Sequence, residues 1–335
     1  MYVSIAVLNF NGRNLLEEFL PSLVENSKEH EIVVIDNASS DDSVEWLQTH
    51  YSDVRIVQLD KNYGFAGGYN RGLSQIEADV YIIINSDVKV TEGWIDPLLS
   101  FIEKDPRIAA VQPKIRSFQN PGFFEYAGAA GGYLDWFGYP LCRGRIFDTL
   151  ERDFGQYDDC TEVFWTSGAC MAIRASSFWE AGGFDEAFFA HQEEIDLCWR
   201  LQILGYSLRY EPSSVVYHLG GGTLQYQSAR KIFLNFRNNL MMLSKNAPIS
   251  HLFFILPVRL VLDGVAGLRY LVKGRYNETL QIIKAHFSFY ANVGYLLKKR
   301  SAIHKKNNQR NRVRRLSKLV IIDYYVFGRK YFSDL

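Results

Sequence analysis

Paired cysteines are missing from this chain. Its 335 residues include Cys142, Cys160, Cys170 and Cys198, which form no CxxC pair and no regular interval. That pattern argues against a structural zinc site and makes a reduced, cytoplasmic compartment the expected setting. Net charge is missing too, because 37 Lys or Arg balance 37 Asp or Glu. The apolar stretch Leu252 to Val258 is soon broken by Arg259, Asp263 and Arg269. It reads as too short and too interrupted for the roughly 20 apolar residues of a spanning helix. Tyr2 to Leu8 follow Met1 directly, without the basic start or cleavage site of a signal peptide. No strand-like run leads into GxGxxG, and no GxxxxGK[ST] loop occurs, which disfavours a dinucleotide-dependent dehydrogenase. What remains is 47% apolar and 15% aromatic, with 20 Tyr and 23 Phe. Such a composition excludes a disordered chain, a collagen-like chain and a small disulfide scaffold. The length suggests about two domains.

Acidic residues are absent from one long segment. Between Thr279 and Ile322 there is no Asp or Glu but there are eleven Lys or Arg, which leaves 26 basic against 37 acidic residues elsewhere. The run from Lys298 to Lys318 is the densest part and follows aromatic residues. It reads either as a solvated tail or as a surface for anionic lipid headgroups, with nucleic acid less favoured.

The first 120 residues alternate between two periods. Val3 to Leu8, Ile32 to Ile35, Val54 to Leu59 and Val80 to Ile84 are short apolar runs, and helix-spaced apolar residues such as Leu16, Phe19, Leu20 and Leu23 lie between them. Strands of this kind suit a parallel sheet covered on both faces. In open sheets of that type ligands bind beyond the carboxyl ends of the strands. Those ends carry Asn9 to Gly12, Asp36-Asn37, Asp60 to Asn62 and Asn85-Ser86-Asp87, all polar. Residues 120 to 162 lose the period and read as a loop or hairpin layer. Ser207 to His218 reads as a strand, and the chain beyond about Gly222 reads as mainly helical, with Pro248 and Pro257 as breaks.

Four constellations stand out. Asp87 ends an apolar strand, where a carboxylate can hold a hard divalent cation or simply form a turn. Asn62 to Gly72 is rich in glycine, which suits either a phosphate-lined helix start or a tight strand-to-helix connection. On a helix from Glu193, the residues Glu194, Leu197, Leu201 and Leu204 share an inward stripe, while Glu193, Asp196 and Arg200 occupy a neighbouring face. Asp196 and Arg200 can pair there. Glu194 heads the apolar stripe, a position suited to a general base. His218 ends a strand and matters chemically if it lies near Asp87.

In order and spacing, these pieces resemble glycosyltransferase family 2, particularly its rhamnosyltransferase-like branch. The matching segments are Val7 to Gly12, Val33 to Ser39, Asn62 to Gly68, Asn85 to Asp87, Ser167 to Ala169, Gly183 to Asp185, Glu193 to Arg200 and Pro212 to His218. The resemblance covers residues 1 to about 225. It implies a GT-A fold, an α/β class with a Rossmann-like, mostly parallel sheet, flanking helices and here a C-terminal helical extension. It also implies a nucleotide-sugar donor and Mg²⁺ or Mn²⁺. By the same resemblance Asp36 would bind the pyrimidine base beside the backbone of Val7 to Asn9. Asn62, Gly64 and Gly67 would line the donor site with Asn85 and Ser86. Asp87 and His218 would hold the metal. Trp165, Gly168 and Glu193 would contact donor sugar or acceptor, and Glu194 would be the catalytic base. Two departures are visible: Asn85 replaces the first acid of the family's DxD segment, and Glu194 stands where Asp is usual.

The resulting expectation has a GT-A domain over 1–225, with a nucleotide-binding half over 1–120 and an acceptor half over 121–225. A basic helical extension covers 226–335. The expected reaction is inverting transfer, with rhamnose from dTDP-rhamnose as the first donor choice and a saccharide or lipid-linked saccharide as acceptor. Region 250–318 would dock on an anionic membrane at the inner face of the cell membrane, and no nucleic acid partner is expected. A catalytically weak relative serving as a membrane-surface assembly subunit is the rival reading.

Overall fold

The computed structural model describes residues 1–220, 229–306, 313 and 315–335. The 225/226 boundary and the basic residues Arg310, Arg312 and Arg314 lie outside the described residues.

The chain begins with β1 (Val3–Asn9), α1 (Arg13–Glu25), β2 (Glu31–Asp36), α2 (Ser43–His50), β3 (Arg55–Gln58) and α3 (Gly64–Leu73). It continues with β4 (Val80–Asn85), β5 (Val88–Val90), α4 (Asp96–Lys104) and β6 (Ile108–Ser117). Four short strands follow, β7 (Gly132–Leu134), β8 (Pro140–Cys142), β9 (Arg145–Ile146) and β10 (Thr149–Leu150), and they form a small sheet of their own that Gly132 bridges to Trp165. They supply the structure of the stretch that had no period in sequence. Next come β11 (Thr161–Glu162), β12 (Cys170–Arg174), α5 (Ala175–Glu180), α6 (Glu193–Ile203) and β13 (Ser207–His218).

The main sheet runs β11-β13-β6-β12-β4-β1-β2-β3, with β5 paired to β13. The β1–β4 neighbours pair in parallel, and β12 is inserted antiparallel between β4 and β6. Both faces are covered. Ile5 and Val7 point into one core and Ala6 into the other, and β2 repeats the division with Val34 against Val33 and Ile35. An uninterrupted apolar run is what two buried faces require.

The glycines of α3 serve this packing. A Cβ on Gly68 would lie 2.8 Å from the Leu8 side chain, and one on Gly72 would lie 2.3 Å from Ile35. Gly68 and Gly72 are four residues apart, so the helix lies almost directly on the sheet. The glycine-rich stretch is thus a helix–sheet contact first.

The C-terminal helices are α7 (Ala229–Asn246), α8 (Ile249–Val272), α9 (Tyr276–Ala291), α10 (Val293–Lys305) and α11 (Val320–Tyr325). Helices α7 and α10 pack against α6. Pro248 does end a helix, standing just before α8, but Pro257 interrupts nothing. The expectation of a short, broken apolar stretch is corrected: α8 is a continuous helix of 24 residues, long and apolar enough by length and composition to cross a membrane. Arg259 and Asp263 do not break it because they turn inward, and Arg269 lies exposed in its last turn. Leu252, Ile255, Arg259, Asp263 and Gly267 form its buried stripe. The Arg259 guanidinium lies 3.8 Å from the Tyr139 ring centre, donates to Phe137 O at 3.2 Å and bonds Asn239. Asp263 pairs with Arg259 at 3.5 Å and with His286 at 3.2 Å. The aromatic segment 286–290 is likewise divided, with Phe289 buried and Phe287 and Tyr290 exposed.

Candidate active site

Loops after β1 and β2 are tied by their own polar side chains. Asn9 is buried and donates to Asp36 Oδ1 at 3.1 Å and to Ser39 Oγ at 3.1 Å. The other Asp36 oxygen accepts from Ser39 N at 3.1 Å. Val7 and Asn9 are therefore fixed beside Asp36 by parallel register, since Asn9 pairs with Asp36 across β1 and β2. Asn37 organises the next loop. Its amide reaches Asn62 Oδ1 at 3.1 Å and Gly64 O at 3.0 Å, and its oxygen accepts from Tyr63 N at 3.0 Å. Asn62 in turn accepts from Gly64 N at 2.8 Å. Gly64 has φ +72° and packs against Phe189, while Gly67 is buried beside Tyr63 and Arg71.

At the end of β4 the polar residues converge. Asn85 N donates to Ala169 O at 3.0 Å, and Ser86 lies close to the Gly12–Asn9 turn. Antiparallel pairing of β13 with β5 puts His218 opposite Val88, next to Asp87. His218 Nε2 lies 3.1 Å from Asp87 Oδ1, and Nδ1 lies 3.0 Å from Glu125 Oε2. Asn85 Nδ2 is 3.5 Å from the same Nε2. Burial alone would depress the imidazole, yet the two carboxylates drive it up to about 10. Burial opposes ionisation of Glu125, and the adjacent His218 still holds its carboxyl below the usual range. Glu125 had no signal in the sequence, because it sits in the stretch without a period and is carried to His218 by backbone contacts to β6, the bridge between Arg116 and Phe124 and the bond from Glu125 N to Ile115 O.

Asp87 and His218 would fit a divalent cation once the imidazole gives up the Nε2 proton that Asp87 accepts, the metal taking that proton's place. A carboxylate oxygen and an imidazole nitrogen stand side by side at the strand tips, with Glu125 on the far ring nitrogen, the usual outer partner of a metal-bound histidine. Among the described residues no third His, Cys, Asp or Glu joins a ligand cluster. Such a cation would complete its shell with water and substrate phosphate oxygens.

Glu194 stands at the first turn of α6. Its Cβ lies 3.7 Å from where a Cβ on Gly168 would be, and Gly168 adjoins Ala169, whose carbonyl meets Asn85. Glu194 is therefore linked to the metal corner through one short backbone path. It is half-buried, and its Oε2 has no hydrogen-bond partner among the described residues. Burial pushes its carboxyl up to about 7 against the pull of three backbone amides. Glu193 is more deeply buried, and burial together with the Glu194 charge raises it well above the carboxylate range.

The face of α6 that carries Glu193, Asp196 and Arg200 is covered by α7. Asp196 does pair with Arg200 at 2.9 Å, but it is fully buried and also bonds Lys245 at 3.0 Å and Asn246 at 2.7 Å. Lys245, itself 1% exposed, reaches Asp185 as well. Trp165 lies against β7 of the small sheet. Its indole lies on Gly132 and donates to Tyr133 O at 3.0 Å, with only 3% of the residue exposed.

The profile of glycosyl transferase family 2 matches residues 4–182, more than half of the chain. The chain belongs to this family. The family's activity is transfer of a sugar from a nucleotide donor to an acceptor, and the chain is a glycosyltransferase on that ground. An N-acetylglucosaminyl-diphospho-decaprenol L-rhamnosyltransferase of Mycobacterium tuberculosis is 31% identical over 222 residues, covering 61% of this chain and 71% of that protein. The rhamnosyltransferase WbbL of Escherichia coli is 24% identical over 225 residues, covering 64% and 83%. Other similar proteins carry different sugar names, among them a low-salt glycan biosynthesis hexosyltransferase, Agl10, of Haloferax volcanii at 23% identity over 71% of this chain and 74% of that protein. Among solved structures, Staphylococcus aureus TarS 1–349 in complex with UDP-GlcNAc superposes with TM-score 0.57 at 14% identity, covering 99% of this chain and 93% of that one. GalNAc-T7 with UDP, GalNAc and Mn²⁺ gives TM-score 0.57 at 20% identity, over 73% and 48%. These likenesses establish the GT-A type of fold for the family 2 enzyme described here.

Proposed function

We propose that the enzyme transfers a sugar with inversion, rhamnose from dTDP-rhamnose being the first donor to test, onto a saccharide or lipid-linked saccharide in cell-surface polysaccharide assembly. The rhamnosyltransferase names of two relatives support the donor choice. The observation that carries the mechanism is Glu194, a half-buried carboxyl raised to about 7 at the helix start beside Gly168. A base whose pKa lies near working pH is both ionised often enough and basic enough to take a proton. Glu194 removes the proton of an acceptor hydroxyl as that oxygen attacks the anomeric carbon, and the nucleoside diphosphate leaves from the opposite face. Asp36, locked by Asn9 and Ser39, addresses the base, and the Asn37-braced Asn62–Gly64 loop borders the donor. Asp87 and His218 would hold Mg²⁺ or Mn²⁺, which when bound supplies positive charge to the diphosphate. Glu194→Gln should cut transfer by about a thousandfold or more while donor binding stays near wild type. Wild-type transfer in that variant removes Glu194 as the base.

The same reading places the enzyme on the cytoplasmic face of an anionic membrane. Support comes from the outward face of α8, where Phe253 is 76% and Phe254 68% exposed, with Val261, Val265 and Leu268 beyond them. Helix α9 adds Phe287 and Tyr290, and exposed lysines stand at the end of α8 (Lys273), on α9 (Lys284) and on α10 (Lys298 and Lys299). Apolar side chains with cations at headgroup level suit an interfacial surface. Binding to anionic vesicles should weaken with salt. Binding indifferent to lipid charge and to salt refutes the electrostatic part.

A further inference from the structure

The segment that launches α6 is bent the wrong way for its residues. Phe189, His191 and Gln192 have φ of 65°, 70° and 70°, a left-handed backbone that side chains with a Cβ rarely adopt. Three such residues within four positions are costly and persist only where their surroundings over-determine them. Two clamps do this here. From the donor side, Ala66 N donates to Phe189 O at 3.2 Å, and Phe189 fills the space left by Gly64. From the other side comes α7. The Asn238 amide donates to the carbonyls of Phe188 at 3.1 Å, Ala190 at 2.9 Å and His191 at 2.7 Å. Arg237 Nη2 donates to Ala187 O at 2.9 Å and to Phe188 O at 3.0 Å. The next residue, Asn239, bonds the Gln192 side chain at 2.9 Å. Asn238 is fully buried, so water does not replace these bonds when they are lost.

We propose that Asn238, assisted by Arg237, is a positioning residue for the proton-accepting carboxylate: it staples the left-handed segment 189–192 and thereby fixes where α6 begins and where Glu194 stands. The proposal rests on the reading of Glu194 as the base. It gives the C-terminal extension a part in the chemistry, since α7 holds this segment in addition to bonding Asp196 of α6 through Lys245 and Asn246.

The test compares Asn238→Ala and the near-isosteric Asn238→Asp with Leu240→Ala, which removes buried bulk from the same helix. Displacing a reacting group by about 1 Å costs on the order of a hundredfold, so both Asn238 variants should lose about that much kcat. Their KM for the donor should stay within about twofold, the signature of a defect confined to the chemical step. Hydrogen exchange at the amides of residues 188–192 should accelerate in both. Leu240→Ala, with an equal or larger fall in Tm, should keep kcat within about threefold of wild type. Arg237→Lys, which retains the charge and loses the fork, carries the same comparison if Asn238→Ala does not fold. A kcat near wild type in a folded Asn238 variant overturns the proposal, as does a loss no greater than that of Leu240→Ala at equal Tm. Glu194→Gln measured alongside separates the two claims. If it remains active while the Asn238 variants fail, the base is misassigned and the staple stands.

Discussion

The two parts of this enzyme bury opposite things. In the sheet domain, apolar side chains go inward on both faces and the polar residues gather at strand ends, where Asp36 bonds Asn9 and Asp87 meets His218. In α8 the sign is reversed, with Arg259 and Asp263 about 2% and 1% exposed while Phe253, Val261 and Val272 point outward. Water alone does not select such a helix, because it would leave apolar area wet and desolvate two charges. On the proposed membrane reading, the difference is that of a chain folded for two surroundings, water over the site and something less polar against α8. The seam between the two is the buried cluster of Asp185, Asp196, Arg200 and Lys245 at the back of α6.

The largest expected effect comes from breaking that seam. Lys245→Met removes the cation shared by Asp185 and Asp196 and leaves two carboxylates buried without it. Breaking one partner of a buried ion pair costs about 3–5 kcal/mol, and urea unfolding should show a loss of that size. If the C-terminal helices merely rest on a self-sufficient sheet domain, the loss should instead be small and confined to a separate early transition.

What the sequence disclosed follows the same division. The strands of the sheet were legible because a strand buried on both faces writes a continuous apolar run, and β13 was readable to its ends at Ser207 and His218. The approach of His218 to Asp87 was a conditional expectation that the β5–β13 register fulfils. Glu125 was not legible, since its partner is 93 residues away and no periodicity surrounds it. The inward charges of α8 misled in the other direction. Arg259 and Asp263 look like interruptions of an apolar stretch until the helix is built and they fall on one stripe four residues apart. Sequence gives spacing, but not which face meets a partner. The clamp of Asn238 on the carbonyls before α6 belongs to the same class, because backbone acceptors leave no mark on residue identity.

A second effect, smaller than the first, tests whether the site pays in stability for its base. The Glu194 carboxyl is raised from 4.5 to about 7 by burial, so the folded state keeps a proton that the unfolded chain has already lost. Between those values the native state binds more protons, and its stability falls as pH rises. Glutamine does not titrate. Relative to wild type, Glu194→Gln should therefore gain on the order of 1–3 kcal/mol in stability between pH 4 and pH 8. The same titration gives wild-type kcat an acid limb near pH 7, because only the ionised carboxylate accepts a proton. A stability difference that does not vary with pH would place Glu194 in open solvent and weaken its claim to be the base.

The smallest effect on the fold should accompany a clear effect on location. Phe253→Ser with Phe254→Ser removes two aromatic rings that touch little of the protein, so stability in solution should change by no more than about 0.5 kcal/mol. Full burial of each ring in lipid is worth about 1.5–3 kcal/mol, so vesicle binding should weaken by tenfold or more in a manner that salt does not mimic. Lys298→Glu with Lys299→Glu should also weaken binding, but only at low salt and only on anionic vesicles, because headgroup attraction is screened within a Debye length. The two double variants thus separate apolar insertion from charge attraction on the same helical extension. If the serine variant binds vesicles like wild type yet elutes as a smaller species, the outward face of α8 is covered by a second copy of the chain. The reversal of burial would then mark a protein interface and not a lipid surface.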